Sequence, residues 1–284
     1  MNKVLERALT KLPKKVIFCK KCVQSNQRPR ITFKNGICSA CHHLDNKSKI
    51  NWDDRIQKLH KILDNYRSTN GDWDVLVPGS GGKDSGYVAH VLKNRFGMNP
   101  LCITFAPFRY TQIGLENFEN FVQAGFNVFN FFPNGDLYRK LSNVAFRELG
   151  DNFTPFVFGQ MSYSYHLAKK FDIGLVFYGE ISDEEYGGDA NQVKNYYSTK
   201  NSDKLYWKGS NVHELFEFAI KNYPNLIKKE DYKKSDFKYF FPPDDNSLKI
   251  RTEWMSTYID WKPQENYYYT AKHTNFKPNP DRSE

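Results

Sequence analysis

The sequence predicts an α/β fold, a doubly wound and mainly parallel sheet of five strands, with a small cysteine module at the N-terminus. Three observations lead to this prediction: short apolar segments alternate with amphipathic ones, four cysteines cluster early in the chain, and a glycine-rich segment follows the first apolar run. We expect a basic zinc-ribbon-like module at 1–50, a linker helix at 51–72 and an α/β domain at 73–284.

The net charge of +9 comes from one end of the 284-residue chain. Residues 1–50 hold twelve Lys and Arg against Glu6 and Asp45, so the rest is close to neutral. This location matters for the choice of partner, because a basic patch is a local electrostatic footprint. No apolar run approaches the roughly 20 residues that span a bilayer, and charges interrupt the apolar residues of the N-terminus. We expect no membrane association and a cytoplasmic location.

Four of the five cysteines share the spacing C-x2-C-x15-C-x2-C, which is typical of a four-thiolate zinc site. They are Cys19, Cys22, Cys38 and Cys41. Four sulfur ligands leave no open position for catalysis, so structural zinc is predicted. Lys20 and Lys21 would offset the negative charge of the thiolates. Two disulfides, which a reducing compartment disfavours, and a redox-active C-x2-C pair are the alternatives.

Apolar runs and helical spacing locate the remaining elements in chain order. Strands are predicted at 74–79, 100–107, 126–132, 173–180 and 256–261. Helices are predicted at 85–97, 114–125, 136–149, 158–171 and 262–274. A less regular stretch at about 182–251 is too long for an ordinary connection, so we expect an insertion that lines the substrate side and contains a helix at 211–223.

The segment LVPGSGGKDSGYVAH places glycines between a strand end and a helix start. Glycines let the backbone approach a phosphate, and the helix N-terminus offers free N–H groups. A Walker A loop is excluded because Asp84 follows Lys83, and a dinucleotide-binding loop is excluded because Asp84 stands where its last glycine belongs.

The motif S-G-G-K-D-S resembles the PP-loop of the N-type ATP pyrophosphatases. It consists of Ser80, Gly81, Gly82, Lys83, Asp84 and Ser85. The resemblance implies that ATP is cleaved between its α- and β-phosphates to form an adenylated substrate and pyrophosphate. The serine hydroxyls and glycine amides would hold the pyrophosphate, the lysine would neutralise it, and the aspartate would cap the helix or help to hold Mg²⁺. Catalysis is assigned to Ser80, Lys83, Asp84 and Ser85.

Two further groups of residues are predicted to contact the nucleotide. The resemblance places adenine near Thr104, Phe105 and Ala106, where apolar residues are equally expected as sheet core. Gly179 and Glu180 end the fourth predicted strand and are expected beside the ATP. Carboxylates suit Mg²⁺, so magnesium is assigned to Glu180 and Asp183, with Glu184 as a further candidate. A solvated acidic turn is the alternative.

The joint pattern of the cysteine module, PGSGGKDS, YGE…EEYGG and YIDWKPQEN resembles the N-acetyl sugar amidotransferase family over nearly the whole chain. This implies conversion of a sugar acetamido group to an acetamidino group in the biosynthesis of surface polysaccharide, LPS O-antigen or flagellin sugars. The implied partners are an N-acetylated sugar, nucleotide-linked or acidic, and a separate glutaminase with a cyclase-like channel that delivers ammonia. The basic module is expected to dock that pair.

Other functions stay open at this point. A PP-loop enzyme that modifies tRNA, for example by thiolation, is the main alternative. It is disfavoured because Cys102 lies within an apolar strand and is expected in the core, so no nucleic-acid partner is predicted. A zinc-containing binding module with an inactive loop is a third reading, and a homo-oligomer is compatible with all of them. Members of the resembled family usually extend past the position of FKPNPDRSE, so a truncated chain is also considered.

Overall fold

The computed structural model describes residues 13–28, 31–188, 212–243 and 249–280, apart from the side chains of Asp183 and Val212. The chain divides into two compact units. The cysteine unit comprises Met1–Asn51, Asp136–Phe158 and Ile181–Phe237. The α/β unit comprises Trp52–Gly135, Gly159–Glu180 and Lys238–Glu284.

A five-stranded parallel sheet forms the centre of the α/β unit and confirms the predicted fold class. A two-stranded hairpin, β1 (Phe33–Lys34) and β2 (Ile37–Cys38), belongs to the cysteine unit. The strands of the large sheet are β3 (Val75–Pro78), β4 (Pro100–Phe105), β5 (Asn127–Phe131), β6 (Leu175–Tyr178) and β7 (Arg251–Trp254).

The order of the large sheet is β5-β4-β3-β6-β7, with β3 at the centre. The chain builds outward from β3 through β4 to β5, then returns to add β6 on the opposite side of β3. This reversal makes the carboxyl end of β3 a topological switch point, the place where open α/β sheets bind ligands.

The prediction of the fifth strand at 256–261 is wrong. β7 ends at Trp254, and Met255–Thr257 forms a 3-10 turn in which the N–H of Ser256 donates to the carbonyl of Gly179 at 3.1 Å. The apolar residues after this turn are buried without forming a strand. The edge strand itself is polar, with Arg251 and Glu253 paired at 2.6 Å, so its sequence has no hydrophobic pattern.

Helices alternate with the strands along the chain, as predicted. They are α1 (Ser39–Lys47), α2 (Trp52–Asp64), α3 (Lys83–Asn94), α4 (Gln112–Gln123), α5 (Gly135–Leu149), α6 (Thr154–Lys170), α7 (Ser182–Glu185), α8 (Val212–Asn222), α9 (Lys234–Phe237) and α10 (Pro263–Thr274). The helix expected at 211–223 is α8. The rest of the predicted insertion at 182–251 lies partly outside the described residues.

Within the described ranges, no helix has the length and apolar character needed to cross a membrane.

The helix expected as a linker is an integral layer of the α/β unit. Leu59 and Leu63 of α2 are fully buried in the same apolar cluster as Val75 of β3 and Leu92 of α3. Full burial of each leucine contributes roughly 1.5–3 kcal/mol to folding, so α2 stabilises the sheet as well as connecting it to the preceding residues.

Aromatic rings fill the core at the carboxyl ends of β4 and β5. The ring of Phe105 lies 5.7 Å from that of Phe131, 6.3 Å from that of Tyr163 and 5.3 Å from that of Phe240, measured between centroids. Gly159 of α6 faces the same ring, and a Cβ atom added there would lie 2.3 Å from Phe105. The absence of a side chain at Gly159 therefore allows α6 to approach the sheet.

We expect Gly159→Ala to lower the free energy of unfolding by about 1–3 kcal/mol, because the added methyl overpacks a close-packed aromatic core. This cost must exceed the gain of about 1 kcal/mol that alanine brings to a helix interior. Urea unfolding measures the effect. Gly135→Ala is the matched control, since a Cβ there meets none of the residues that the structure describes within 4 Å. Equal unfolding midpoints for the two variants would contradict the packing argument.

Candidate functional site

The glycine-rich loop begins at the switch point, where β3 ends. Two hydrogen bonds join its first residue to β4: the N–H of Gly79 donates to the carbonyl of Ile103 at 2.8 Å, and the hydroxyl of Thr104 donates to the carbonyl of Gly79. Thr104 is only 2% exposed. Its contact in the structure is with the loop backbone, and its contact with adenine stays a prediction.

Phe105 and Ala106, the other residues predicted near adenine, are buried. The ring of Phe105 is surrounded by the aromatic side chains of the core described above. The alternative given for these two positions, that they form sheet core, matches the structure.

Gly81 is the residue at which the loop touches α4. Its φ is +83°, a conformation that residues with side chains rarely adopt. A Cβ atom there would also lie 2.6 Å from the carbonyl oxygen of Asn117 and 2.8 Å from the Cα of Phe118. The conformation and the close approach both require glycine, so the path of the loop depends on this residue.

Gly82 is the N-cap residue of α3, and the space beside its Cα is open. It has an extended conformation, with φ −71° and ψ 163°, and no side-chain cap. A Cβ atom there would meet nothing within 4 Å among the described residues. The first backbone N–H groups of a helix have no intrahelical partner, and the open space beside Gly82 would let an anionic ligand approach the start of α3.

Lys83 and Asp84 form an ion pair in the first turn of α3, with 2.7 Å between Nζ and Oδ2. Both side chains are about one third exposed. The other carboxylate oxygen of Asp84, Oδ1, is buried and has no hydrogen-bond partner in the described part of the chain. A buried and unpaired carboxylate oxygen is unfavourable. It fits a site for a cation or a hydrogen-bond donor supplied by a ligand.

The two serines of the loop are half-buried. The hydroxyl of Ser85 donates to the carbonyl of Gly82 at 3.2 Å, and a Cβ on Gly79 would lie 2.5 Å from the Cβ of Ser85. Gly79 is therefore a second position where a side chain would displace the loop. The catalytic roles assigned to Ser80 and Ser85 stay predictions.

Helix α10 supports the loop from a region that sequence analysis did not associate with it. The hydroxyl of Thr270 donates to the carbonyl of Lys83 at 2.8 Å. Gly86 allows this approach, because a Cβ there would lie 2.7 Å from Cγ2 of Thr270. The sequence contained no signal for this contact, since 187 residues separate the two partners.

Gly179, which follows β6, lies beside the loop. A Cβ atom on Gly179 would lie 3.6 Å from the Cβ of Asp84 and 3.1 Å from the ring of Trp261. The structure thus brings Gly179 and Asp84 together, as parallel neighbouring strands require. The half-buried Glu180 follows directly. Asp183 and Glu184 belong to the cysteine unit, so the magnesium ligand set stays a prediction.

The four N-terminal cysteines converge in the cysteine unit. The sulfurs of Cys19 and Cys41 are 3.9 Å apart, those of Cys22 and Cys38 are 3.7 Å apart, and all four lie within 4.8 Å of one another. A tetrahedral zinc ion with bonds of about 2.3 Å places its sulfurs roughly 3.8 Å apart. All four thiols are free, and these separations are far longer than a disulfide bond. The cluster could hold a metal ion.

The thiols differ in acidity because their surroundings differ. Burial raises the pKa of Cys41 to about 12. Burial also acts on Cys19, but backbone N–H groups, including those of Cys38 and Lys21 at 3.3 and 3.4 Å, outweigh it and lower its pKa to about 6. Four thiolates at neutral pH therefore need a cation among them, and a divalent metal ion meets that need.

Lys21 contributes to the charge balance that the sequence predicted. Its ammonium pairs with Asp45, and this hydrogen bond is the main cause of its raised pKa. The sulfurs of Cys41 and Cys19 raise the pKa further through their charge. The structure therefore places Lys21 within electrostatic reach of the thiolates.

Cys102 is a core residue. It lies in β4, is fully buried, and its pKa is raised by burial. Nucleophilic and redox cysteines need a thiolate and access to solvent, so Cys102 is unsuited to a sulfur relay.

Comparisons with known proteins show distant similarity. No protein-family model matches the chain. An uncharacterised protein of Methanocaldococcus jannaschii is 31% identical over 87 residues, which are 30% of this chain and 31% of that protein's length. Among solved structures, NMN synthetase from Francisella tularensis is similar with a TM-score of 0.28 and 14% identity, over 82% of this chain and all of the other.

We expect the chain to bind one Zn²⁺ or Co²⁺ ion, with Co²⁺ giving the sulfur-to-metal absorption of a tetrahedral four-thiolate site. Cys38→Ser should weaken binding by about tenfold or more, because it removes one of four ligands. Titration with Co²⁺ measures both effects. Cys102→Ala is the control and should bind as the unchanged protein does. A spectrum unaffected by Cys38→Ser would contradict the assignment.

Proposed function

We propose that this chain is an ATP-dependent enzyme of the PP-loop pyrophosphatase type. The observation that carries the proposal is the S-G-G-K-D-S loop at the switch point, where Gly82 faces open space and Oδ1 of Asp84 has no partner among the described residues. The sequence motif and the position in the fold are independent of each other, and both support a nucleotide-binding loop.

We assign a different contact with ATP to each group of residues in the loop. The amides at the start of α3 and the hydroxyls of Ser80 and Ser85 would bind the two outer phosphates. Lys83 would offset their charge. Oδ1 of Asp84 would be a ligand of Mg²⁺, for which an unpaired carboxylate oxygen is a suitable donor. Positioning and charge stabilisation are the main contributions of a protein to phosphoryl transfer.

The reaction we propose is the conversion of a sugar acetamido group to an acetamidino group. The acetamido oxygen attacks the α-phosphorus of ATP, and pyrophosphate leaves. Ammonia then adds to the activated carbon, and AMP leaves with the former acetamido oxygen. Activation is necessary because the oxygen of an amide is otherwise a very poor leaving group. The resemblance of the sequence to the N-acetyl sugar amidotransferases supports this choice.

Ammonia would come from outside the described part of the chain. An in-chain glutaminase of the usual kind needs a nucleophilic cysteine, whereas four cysteines form the metal cluster and Cys102 is buried in β4. We propose that a separate glutaminase with a channel protein supplies it and docks on the basic module. Four of the exposed lysines of that module are Lys14, Lys15, Lys20 and Lys21. Reversal of the charges of Lys14 and Lys15, which lie before the first cysteine, should reduce turnover with glutamine and leave turnover with ammonium unchanged.

Mass spectrometry tests the proposed reaction directly. Nucleotide-linked acetamido sugars are incubated with the protein, ATP, Mg²⁺ and an ammonium salt. We expect AMP and pyrophosphate as products and a sugar in which one oxygen is replaced by NH. Formation of ADP would contradict the pyrophosphatase chemistry. Modification of added tRNA with unchanged sugars would favour the tRNA-modifying alternative.

Gly82→Ala tests where the phosphates bind. The added methyl meets none of the described residues within 4 Å, so the unfolding free energy should change by no more than about 1 kcal/mol, the typical effect at a helix N-cap. It would occupy the space assigned to the phosphates, so the Kd for ATP should rise by about tenfold or more, equivalent to about 1.4 kcal/mol. Calorimetric titration with ATP measures it, and Gly135→Ala is the control. Unchanged affinity would place the phosphates elsewhere.

A further inference from the structure

Helix α7, which carries the predicted magnesium ligands Asp183 and Glu184, contacts helix α1 of the cysteine module. The contact is a buried ion pair. Nζ of Lys47 lies 2.9 Å from Oε2 and 3.2 Å from Oε1 of Glu185, and the two side chains are 10% and 11% exposed. His43 adds its Nε2 at 3.5 Å from the same carboxylate. Glu185 therefore faces two basic side chains of one helix.

The geometry of this pair is specific. Nζ of Lys47 donates to both carboxylate oxygens of Glu185, and Nε2 of His43 lies beside one of them. Removal of one partner from a buried pair leaves the other charge without compensation, which is strongly unfavourable. A contact of this kind has one preferred geometry, so it restricts the position of α7.

A second contact holds the end of the same segment. Nε of Arg28 donates to the carbonyl of Gly187 at 2.8 Å. Gly187 has a φ of +85°, and a Cβ there would lie 3.2 Å from Cδ1 of Ile31 and 3.3 Å from the Cβ of Ala40. The backbone of Gly187 is thus closely packed against the cysteine module.

Lys47 and Arg28, which make these two contacts, both belong to segments that are attached to the cysteines of the cluster. Cys38 is the N-cap of α1 and Cys41 lies in its first turn, while Lys47 is the last residue of the same helix. Six residues of helix, about 9 Å, join Cys41 to Lys47. Arg28 lies in the loop between the two cysteine pairs. A metal ion on the four sulfurs would therefore fix the helix and the loop that hold the acidic segment.

We propose that Lys47 and Arg28 are positioning residues, through which the metal ion of the cysteine cluster determines the position of the segment 181–187. This inference rests on the proposed function for its catalytic consequence, because the segment carries two of the predicted magnesium ligands and continues directly from β6. It gives the cysteine cluster a role beyond the stability of its own module. The metal acts through α1 and the loop of Arg28.

Hydrogen exchange of the full chain without ATP tests the coupling by itself. We expect the amides of 181–187 to exchange at least tenfold faster after the metal is removed, and also in metal-loaded Lys47→Met and Arg28→Met. Lys47→Arg, which keeps the charge, should restore protection. Lys49→Met is the matched control, because Lys49 is an exposed lysine two residues further along. The Co²⁺ spectrum of each variant verifies that the cluster is intact.

Protection of 181–187 that is the same in the loaded, stripped and Lys47→Met forms would overturn the inference. If Lys47→Met fails to bind Co²⁺, the comparison rests on Arg28→Met and on the double variant Lys47→Glu with Glu185→Lys, which restores a pair of opposite charges. If the amides of 181–187 are protected again in the double variant, the result supports the inference. If they are unprotected in the double variant but remain protected in Arg28→Met, the result overturns the inference.

A second readout separates positioning from general stability. We expect Lys47→Met to raise the Mg²⁺ concentration for half-maximal pyrophosphate release by about tenfold or more, with kcat at saturating Mg²⁺ reduced much less. A lower kcat with an unchanged Mg²⁺ requirement would oppose the inference. Failure of the unchanged protein to release pyrophosphate would reject the proposed function, and hydrogen exchange would still decide the inference.

Discussion

The candidate site depends on the close approach of two backbones, that of the loop at Gly81 and that of α4 at Asn117. A side chain at Gly81 would displace one of them, and the positive φ of this residue sets the direction in which the chain enters α3. The first turn of α3 is positioned as a consequence, with Thr270 holding the carbonyl of Lys83 from the other side. The orientation of the N–H groups, the ion pair of Lys83 with Asp84 and the unpaired Oδ1 all follow from this placement.

Electrostatics indicates that both regions of interest could accept a ligand. At the loop, a buried carboxylate oxygen lacks a partner among the described residues, which also leave open space beside Gly82 at the start of α3. In the cysteine module, the sulfurs lie at the separations of a metal tetrahedron while burial keeps the pKa of Cys41 high. Each arrangement could accept a bound ion that compensates these charged or polar groups, a property expected of binding sites.

Local sequence patterns predicted much of the fold, and they failed where long-range contacts decide. The apolar runs of β3, β4 and β6 identified three strands because both faces of the parallel sheet are buried there. The edge strand β5 was also identified by its apolar residues, although it is partly exposed. The fifth strand was misplaced because an edge strand can be polar, whereas the apolar residues after it are buried in a turn and irregular segment. Likewise, α2 was expected as a linker because its periodicity revealed an apolar face but not the surface that covers it.

The sequence by itself determined the chemistry of the chain: which residues form the loop, which cysteines converge, and which segments alternate as strands and helices. These properties depend on spacing along the chain, where periodicity and ligand geometry act over a few residues. Only the tertiary structure decided that Phe105 is core, that Thr104 holds Gly79, and that Glu185 pairs with Lys47 across 138 residues. Such contacts depend on how distant elements pack, and no local pattern encodes which partner a buried polar group will find.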